Sequence, residues 1–306
     1  MGPPRHGVLV VDKPAGPTSH DIVDRVRRVL GERRVGHTGT LDPFATGVLV
    51  VCVGKATRLA RFLAEGEKVY RATVRLGFAT ATDDLLGAPL AQPRSVHVDR
   101  AVLEAAVRAL TGELEQVPPV YSAKRVQGRR LYELAREGAV GPRPPARVHV
   151  GAFEILAVRD DEVDALVRCS PGTYVRALAR DLGESLGVGG HLVALRRVMS
   201  GGFTADEAVH ADLLGADSHE RLKPLAGLLP GLPAVRLSAA GLAAVRHGRD
   251  VTRGEVTGGV PEGPASVWWR LLDSEGDLVG LAVPRASPKG SVPLNEPILH
   301  PEVVLV

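Results

Sequence analysis

The chain has 306 residues, 44% of them apolar and 24% charged, with a net charge of +3. This is the profile of an ordinary soluble globular protein, long enough for one large domain plus a small one. Its longest apolar stretch, "GVLVVCVG" (47–54), is far too short to span a bilayer. Cys52 and Cys169 lack any metal-type spacing and read as small core residues in a reducing, cytoplasmic setting.

The opening "MGPPRHGVLVVD" flows into "DKPAG" without a small-residue cleavage site, so it predicts a first strand and not a signal peptide. "TSHDIVDRVRRVLG" follows as a helix, with Ser19 as cap, Ile22, Val23, Val26 and Leu30 as its apolar stripe and Gly31 at its end. "RVGHTGTLDPFATGVLVV" (34–51) then sets one carboxylate, Asp42, between a glycine-rich turn and an apolar run. By residue pattern alone the ordinary reading is capping: Asp42 as N-cap, Pro43 at the first helical position, Gly47 closing the turn in a left-handed conformation. "TRLARFLA" is helical. "KVYRATVRLG" alternates as a strand, with Tyr70, Ala72, Val74 and Leu76 on one face.

Asp99 caps "RAVLEAAVRAL", and Gly112 terminates it. "PPVYSAKRVQGRRLYELAREG" reads as loop, basic hairpin and helix, "EVDALVRCS" as a strand, and "TYVRALARDLGESLG" as a helix entered through "SPG". "GVGGH" (187–191) follows a helix and not a strand, so its glycines end that helix and do not form a nucleotide loop. Between 204 and 232 the texture changes to short Leu/Ala segments broken by Gly and Pro, a link between a domain of residues 1–232 and one of 233–306. In the second, Ser238 caps a short helix ending at Gly248, and "SVWWRLLDSEGDLVGLAVP" predicts a hairpin turning at "DSEG".

The cationic residues comprise 32 arginines and 6 lysines. Arginine's planar fork suits phosphate, although GC-rich codon usage gives the same bias. Clusters at 25–28, 32–34, 128–130 and 195–197, with Lys55, Arg58 and Arg61 at helical spacing, imply a basic face balanced by acidic surface elsewhere.

Five ordered segments carry a resemblance: "DKPAGPTSHDIV", "GHTGTLDPFATGVLVVCVGKATR", "KVYRATVRLG", "PPVYSAKRVQGRRLYELAREG" and "CSPGTYVRALARDLGESLGVGGHLVALRR". Together, over about residues 7–205, they resemble the TruB-type tRNA pseudouridine synthases. The resemblance implies an α+β fold: a central mixed, largely antiparallel sheet flanked by helices. The C-terminal region resembles a small PUA-type RNA-binding β-barrel in length and strand texture. It also implies a monomeric, cofactor-free enzyme that isomerises a uridine (uridine-55) in the T loop of tRNA after flipping it out.

In this family the aspartate of Leu-Asp-Pro is the nucleophile, here Asp42. A carboxylate is ionised at neutral pH without an adjacent base, but a flipped base covering it strips away water and raises its pKa. Arg176 is the matching cation. Arg180, one turn on, is only its like-charged neighbour. Tyr70 matches the active-site tyrosine, expected to stack the base and help remove the carbon-5 proton. On residue pattern alone it is a core residue. Tyr174 and Leu195 match positions lining the uracil pocket, and His37 the residue that fills the space left by the flipped base. Lys13, with Pro14, matches an element supporting the pocket floor and completes the substrate-binding set. "TATDDLLG" (80–87) departs from the family's usual Thr-Asp-Thr by having Ala81, which puts local RNA contacts in question. Two other readings remain: an RNA-binding or tRNA-folding protein, and the guide-RNA-dependent relative that shares the core motif.

Overall fold

The computed structural model describes residues 6–122, 143–258, 268–285 and 294–306, together with the backbone of 125–126 and 129–130. Strands β1 (Gly7–Lys13), β2 (Val35–His37) and β3 (Thr46–Val53) pair antiparallel, β1 and β2 each against β3. The unbroken apolar runs of β1 and β3 arise because both of their faces are covered. Leu9, Val11, Leu49, Val51 and Val53 pack against helix α1 (Ser19–Leu30). Val8, Val10, Val48, Val50 and Cys52 face the opposite way, toward Phe62 and Leu63 of the short helix α2 (Ala60–Ala64).

β4 (Lys68–Leu76) alternates as expected: Tyr70, Ala72 and Val74 are buried, while Arg71 is exposed. Helix α3 (Arg100–Ala109) is capped by Asp99 and followed by β5 (Gly112–Gln116). Beyond it come β6 (Ala146–Arg159), β7 (Glu162–Cys169), helix α4 (Val175–Ser185) and β8 (Gly190–Ser200). The fourteen-residue β6 has no counterpart in the sequence reading. The expected basic hairpin is present as Arg125–Val126 paired with Arg129–Arg130, whereas the helix expected after it lies outside the described residues.

Among the described residues eleven strands make the central sheet, whose main path runs β1-β3-β8-β4-β7-β6-β5. Only the β8–β3 contact within that path is parallel, with Arg196 opposite Thr46 and Arg197 opposite Gly47. The sheet is therefore mixed and largely antiparallel. Helices α3 and α4 cover the Tyr70 face, where Leu103, Val107, Leu178 and Leu182 join Val74, Val163 and Val167 in one core.

Several local expectations change. The α1 cap is Thr18, which forms a reciprocal capping box with Asp21; Ser19 is the first helical residue and its hydroxyl is used elsewhere. Asp42 caps no helix, since residues 42–45 make a single turn closed by Ala45 N–H donating to Asp42 O. Gly47 has a positive φ of 100° but lies within β3 and not at a helix end. A Cβ there would come 2.2 Å from the Arg197 carbonyl oxygen, so close backbone approach requires glycine. The 204–232 segment is no free link. Val209–His210 pairs parallel with β1 and Lys223–Pro224 antiparallel with it.

The C-terminal sheet comprises β9 (Ala234–Leu237), β10 (Trp269–Leu272), β11 (Leu278–Pro284), β12 (Pro297–Val304) and two short edge pieces, Val251–Thr252 and Val256–Thr257. Those two edges are joined by one turn at Arg253–Glu255, so the sheet curls until its ends nearly meet, as a small barrel plugged by helix α5 (Ala239–Arg246). β11 is apolar throughout because Val279 and Ala282 face the barrel core while Leu278 and Leu281 face the larger body. Trp268 meets Phe62 edge to face at 4.8 Å, and Arg61 lies over both rings.

The tightest helix-to-sheet approach is at Gly183 of α4, where a Cβ would lie 2.1 Å from the Gly190 nitrogen. Gly183→Ala is expected to destabilise by about 1–3 kcal/mol through overpacking, outweighing alanine's better helix propensity. The urea midpoint measures it, and an unchanged or raised midpoint contradicts the packing argument.

Candidate active site

The turn between β2 and β3 projects Asp42, and each neighbouring peptide group is tied down from outside the turn. The Ser19 hydroxyl donates to Leu41 O at 3.1 Å and accepts from Leu41 N–H at 2.8 Å. On the other side, Pro43 O accepts from Gly16 N–H at 2.8 Å and from Lys13 Nζ at 3.2 Å. Lys13 also donates to Pro14 O and Pro17 O, both at 2.8 Å, and its side chain is wholly enclosed. It therefore holds the backbone around the Asp42 turn. Burial lowers its pKa to about 8, against the raising influence of Asp42.

Arg176, the second residue of α4, reaches Asp42 from across the core. Its Nη2 donates to Asp42 Oδ1 at 3.0 Å, and its Nε stands 2.9 Å from Oδ2, though off the line of a hydrogen bond. The same guanidinium donates to Thr82 O at 3.0 Å and Tyr121 O at 2.9 Å, and Nη1 lies 3.5 Å from Asp84 Oδ2. A cation in the first turn opposes the helix dipole by roughly 0.3–1 kcal/mol. The two carboxylates and two carbonyls around Arg176 outweigh that cost.

Burial raises the Asp42 pKa above its ordinary 3.8. Arg176 is the largest opposing influence, with Lys13 a smaller one, and Asp84 adds to the rise. The carboxylate keeps 31% of its side chain exposed, so its tip is accessible.

Asp84 is the site residue whose role in this ion-pair network the sequence reading did not identify. It is fixed by Thr82 Oγ1 at 2.5 Å and Leu86 N–H at 3.0 Å, both donating to Oδ1. The adjacent Asp83 has φ 60° and accepts from Arg180 Nη1 at 3.1 Å. Burial raises the Asp83 pKa, and Arg180 opposes this. Arg180 is therefore no idle neighbour of Arg176, being committed to Asp83 and Asp181. With Ala81 N–H bonded to Ala88 O, the 80–87 loop closes without an aspartate at position 81. The only signal for Asp84 was the Asp-Asp pair itself.

Tyr70 lies on β4 opposite Arg197 of β8 and Val167 of β7, 8% exposed. Burial raises its phenol pKa, the Arg197 guanidinium lowers it, and the Asp42 charge adds a smaller rise. Leu195, Leu41 and Ala45 share its apolar cluster. Tyr174 precedes α4, held by Gln116, whose side-chain oxygen accepts from Tyr174 N–H at 2.8 Å and whose amide donates to Tyr174 O at 3.1 Å. Burial raises its phenol pKa as well, with Ser122 and Arg176 opposing and Asp42 adding. Asp42, Arg176, Tyr70, Tyr174 and Leu195 thus converge. His37 stands apart, opposite Val51 on the sheet edge. Its pKa is lowered by burial first, then by Arg197 and His20, which keeps the ring neutral at pH 7.

The sequence matches the model of the TruB family pseudouridylate synthase N-terminal domain over residues 27–175, and that of the tRNA pseudouridylate synthase B C-terminal domain over 176–226. A protein of Thermobifida fusca named tRNA pseudouridine synthase B is 51% identical over 255 residues, covering 80% of this chain and 86% of its own. One of the same name from Solibacter usitatus is 40% identical over 304 residues, covering 98% and 99%. Among solved structures, an H/ACA RNP bound to a substrate RNA containing 2′-deoxyuridine superposes with a TM-score of 0.73 at 24% identity, covering 98% of this chain and 85% of that one.

If Arg176 is what opposes burial at Asp42, then in Arg176→Gln the Asp42 carboxyl titrates at higher pH, read from its side-chain 13C shift. The folded form then holds the proton more tightly than the unfolded chain, so stability falls as pH rises above the ordinary carboxylate range. An unmoved titration contradicts the pairing.

Proposed function

The chain belongs to the TruB family of pseudouridylate synthases, and from that premise we propose that it isomerises the T-loop uridine of tRNA (uridine-55) with Asp42 as nucleophile. The observation that carries this reading is the Asp42–Arg176 pair: an accessible carboxylate beside an apolar cluster, bonded to a buried guanidinium that opposes the rise burial causes in its pKa. The reaction breaks the bond from ribose carbon 1 to uracil nitrogen 1 and joins the same carbon to carbon 5. The carbon-5 proton leaves, and nitrogen 1 gains one. The net change needs no oxidant, reductant or activated donor.

In this reading Asp42 supplies the attacking oxygen, and Arg176 and Lys13 oppose the rise that burial and Asp84 cause in its pKa. Tyr70 packs below and stacks the extracted base above, with its hydroxyl near the carbon-5 proton. Tyr174 and Leu195 line the uracil pocket. His37, neutral and set apart on β2, stacks where the base was, recovering part of the few kcal/mol that flipping costs. The enzyme acts as a monomer in the cytoplasm on the T arm of tRNA. The test against a guide-dependent mode is activity on bare tRNA transcript, with pseudouridine mapped at the T loop.

Asp42→Asn is expected to abolish isomerisation while tRNA affinity stays within about tenfold, because one neutral isostere changes little of a phosphate-driven interface. A tenth of the unaltered turnover sinks the nucleophile assignment.

We further propose that residues 233–306 act as an RNA-binding unit. Its support is a cationic end on the barrel: Arg246, Arg249 and Arg253 are exposed, and none is paired to a carboxylate among the described residues. Because barrel and body share a core, surface substitution is the cleaner test than truncation. Replacing the three by alanine is expected to raise KM with kcat unchanged and to flatten the salt dependence of binding by roughly 0.9 per lost phosphate contact. An unchanged slope removes the barrel from the tRNA interface.

A further inference from the structure

Arg197 is 2% exposed, the largest of the fully enclosed side chains. Its guanidinium is spent on one short stretch of chain: Nε donates to Val48 O at 2.7 Å, Nη1 to Thr40 O at 3.3 Å and Nη2 to Gly39 O at 3.0 Å. These carbonyls bracket Asp42. Among the described residues no carboxylate lies within ion-pair distance of it. A buried charge balanced only by carbonyl dipoles is an expensive way to hold a loop, and an apolar residue of similar size is the cheaper core filler. The charge and the fork therefore call for a reason beyond filling space.

The sheet register supplies one. Arg197 on β8 lies opposite Tyr70 on β4 along one edge and opposite Gly47 on β3 along the other. Its backbone is pressed against Gly47, where a Cβ would sit 2.2 Å from its carbonyl oxygen and 2.9 Å from its nitrogen. Its guanidinium lowers the Tyr70 phenol pKa that burial raises. One side chain thus touches the turn that carries the carboxylate and the ring that faces it.

We propose that Arg197 is a positioning residue for the isomerisation, fixing the Asp42 turn and the Tyr70 ring relative to each other so that both address the same nucleotide. It contacts neither substrate nor reacting atoms and acts through the three carbonyls and the phenol. The inference rests on the isomerase reading above. Failure of that reading shows as an active Asp42→Asn, whereas failure of this one shows as fast Arg197 variants in a protein whose Asp42→Asn is dead.

The test uses the full chain with Arg197→Gln, Arg197→Lys and, from the opposite side of the contact, Gly47→Ala. Thermal melting establishes which are folded, and single-turnover rate and KM are measured with unmodified tRNA transcript. Arg197→Gln is expected to lose about a hundredfold in rate at saturating tRNA, since displacement of a reacting group by about 1 Å costs that much, with KM within about threefold. Arg197→Lys keeps a cation without the three-carbonyl fork and is slowed less. Gly47→Ala, which leaves the charge in place but pushes the strands apart, loses rate in the same way. Folded Arg197→Gln with unaltered turnover overturns the proposal, as does a loss confined to KM. If Arg197→Gln does not fold, Arg197→Lys with unaltered kcat reduces Arg197 to a structural residue and overturns it equally.

Discussion

The carboxylate at position 42 is held by peptide groups more than by side-chain packing. From residue 39 to residue 43 the backbone carbonyls are accounted for: 39 and 40 by Arg197, 41 by Ser19, 42 by the turn's own N–H, and 43 by Gly16 and Lys13. The donors from outside the turn come from β1, α1, the loop between them and β8, so the turn is defined only when those elements are in place. Loops are ordinarily the mobile part of a fold. This one is bolted to its scaffold, which is what a nucleophile needs if reacting atoms are to be aligned before the reaction begins.

Around that turn the charges are shared unevenly. Arg176 faces two carboxylates, Asp42 and Asp84, and Arg180 faces Asp83 and Asp181. Lys13 and Arg197, both enclosed, donate to backbone carbonyls, and neither forms an ion pair among the described residues. The four cations beside Asp42 thus stand against four carboxylates but share them unevenly, each oriented by fixed hydrogen bonds. Such preorganised dipoles and charges act without reorganisation cost in a site from which water is excluded. The same low-dielectric setting explains the pKa directions: up for Asp42 and the two phenols, down for Lys13 and His37, each led by burial.

What was legible in the sequence follows from range of interaction. The continuous apolar runs of β1 and β3, the alternation of β4, the caps at Asp99 and Ser238 and the left-handed Gly31 are all set within a few residues, and pattern reading recovers them. The pairing of Asp42 with Arg176 spans 134 positions and came from family resemblance, not from spacing. Arg197 reads in sequence as one of several solvent-facing clusters, because nothing local announces that its fork meets Val48 from 149 positions away. Ser19 and Gly47 mislead for a related reason. Each has a familiar local role, cap or helix terminator, and each is put to a tertiary use that no window of neighbours contains.

The apolar cluster shared by body and barrel has a consequence for how the protein is made. Val8 and Val10 of strand Gly7–Lys13 share one apolar cluster with Phe62 and Leu63, near in sequence, and with Leu278, Leu281, Val303 and Leu305, which are translated far later. During elongation at about 5–20 residues per second, a nascent chain with its central sheet formed waits several seconds for the barrel's share of that cluster. Transiently exposed apolar surface invites misassociation with other chains. The architecture that gives the finished protein one shared core thus leaves part of that core incomplete until its last strands are made.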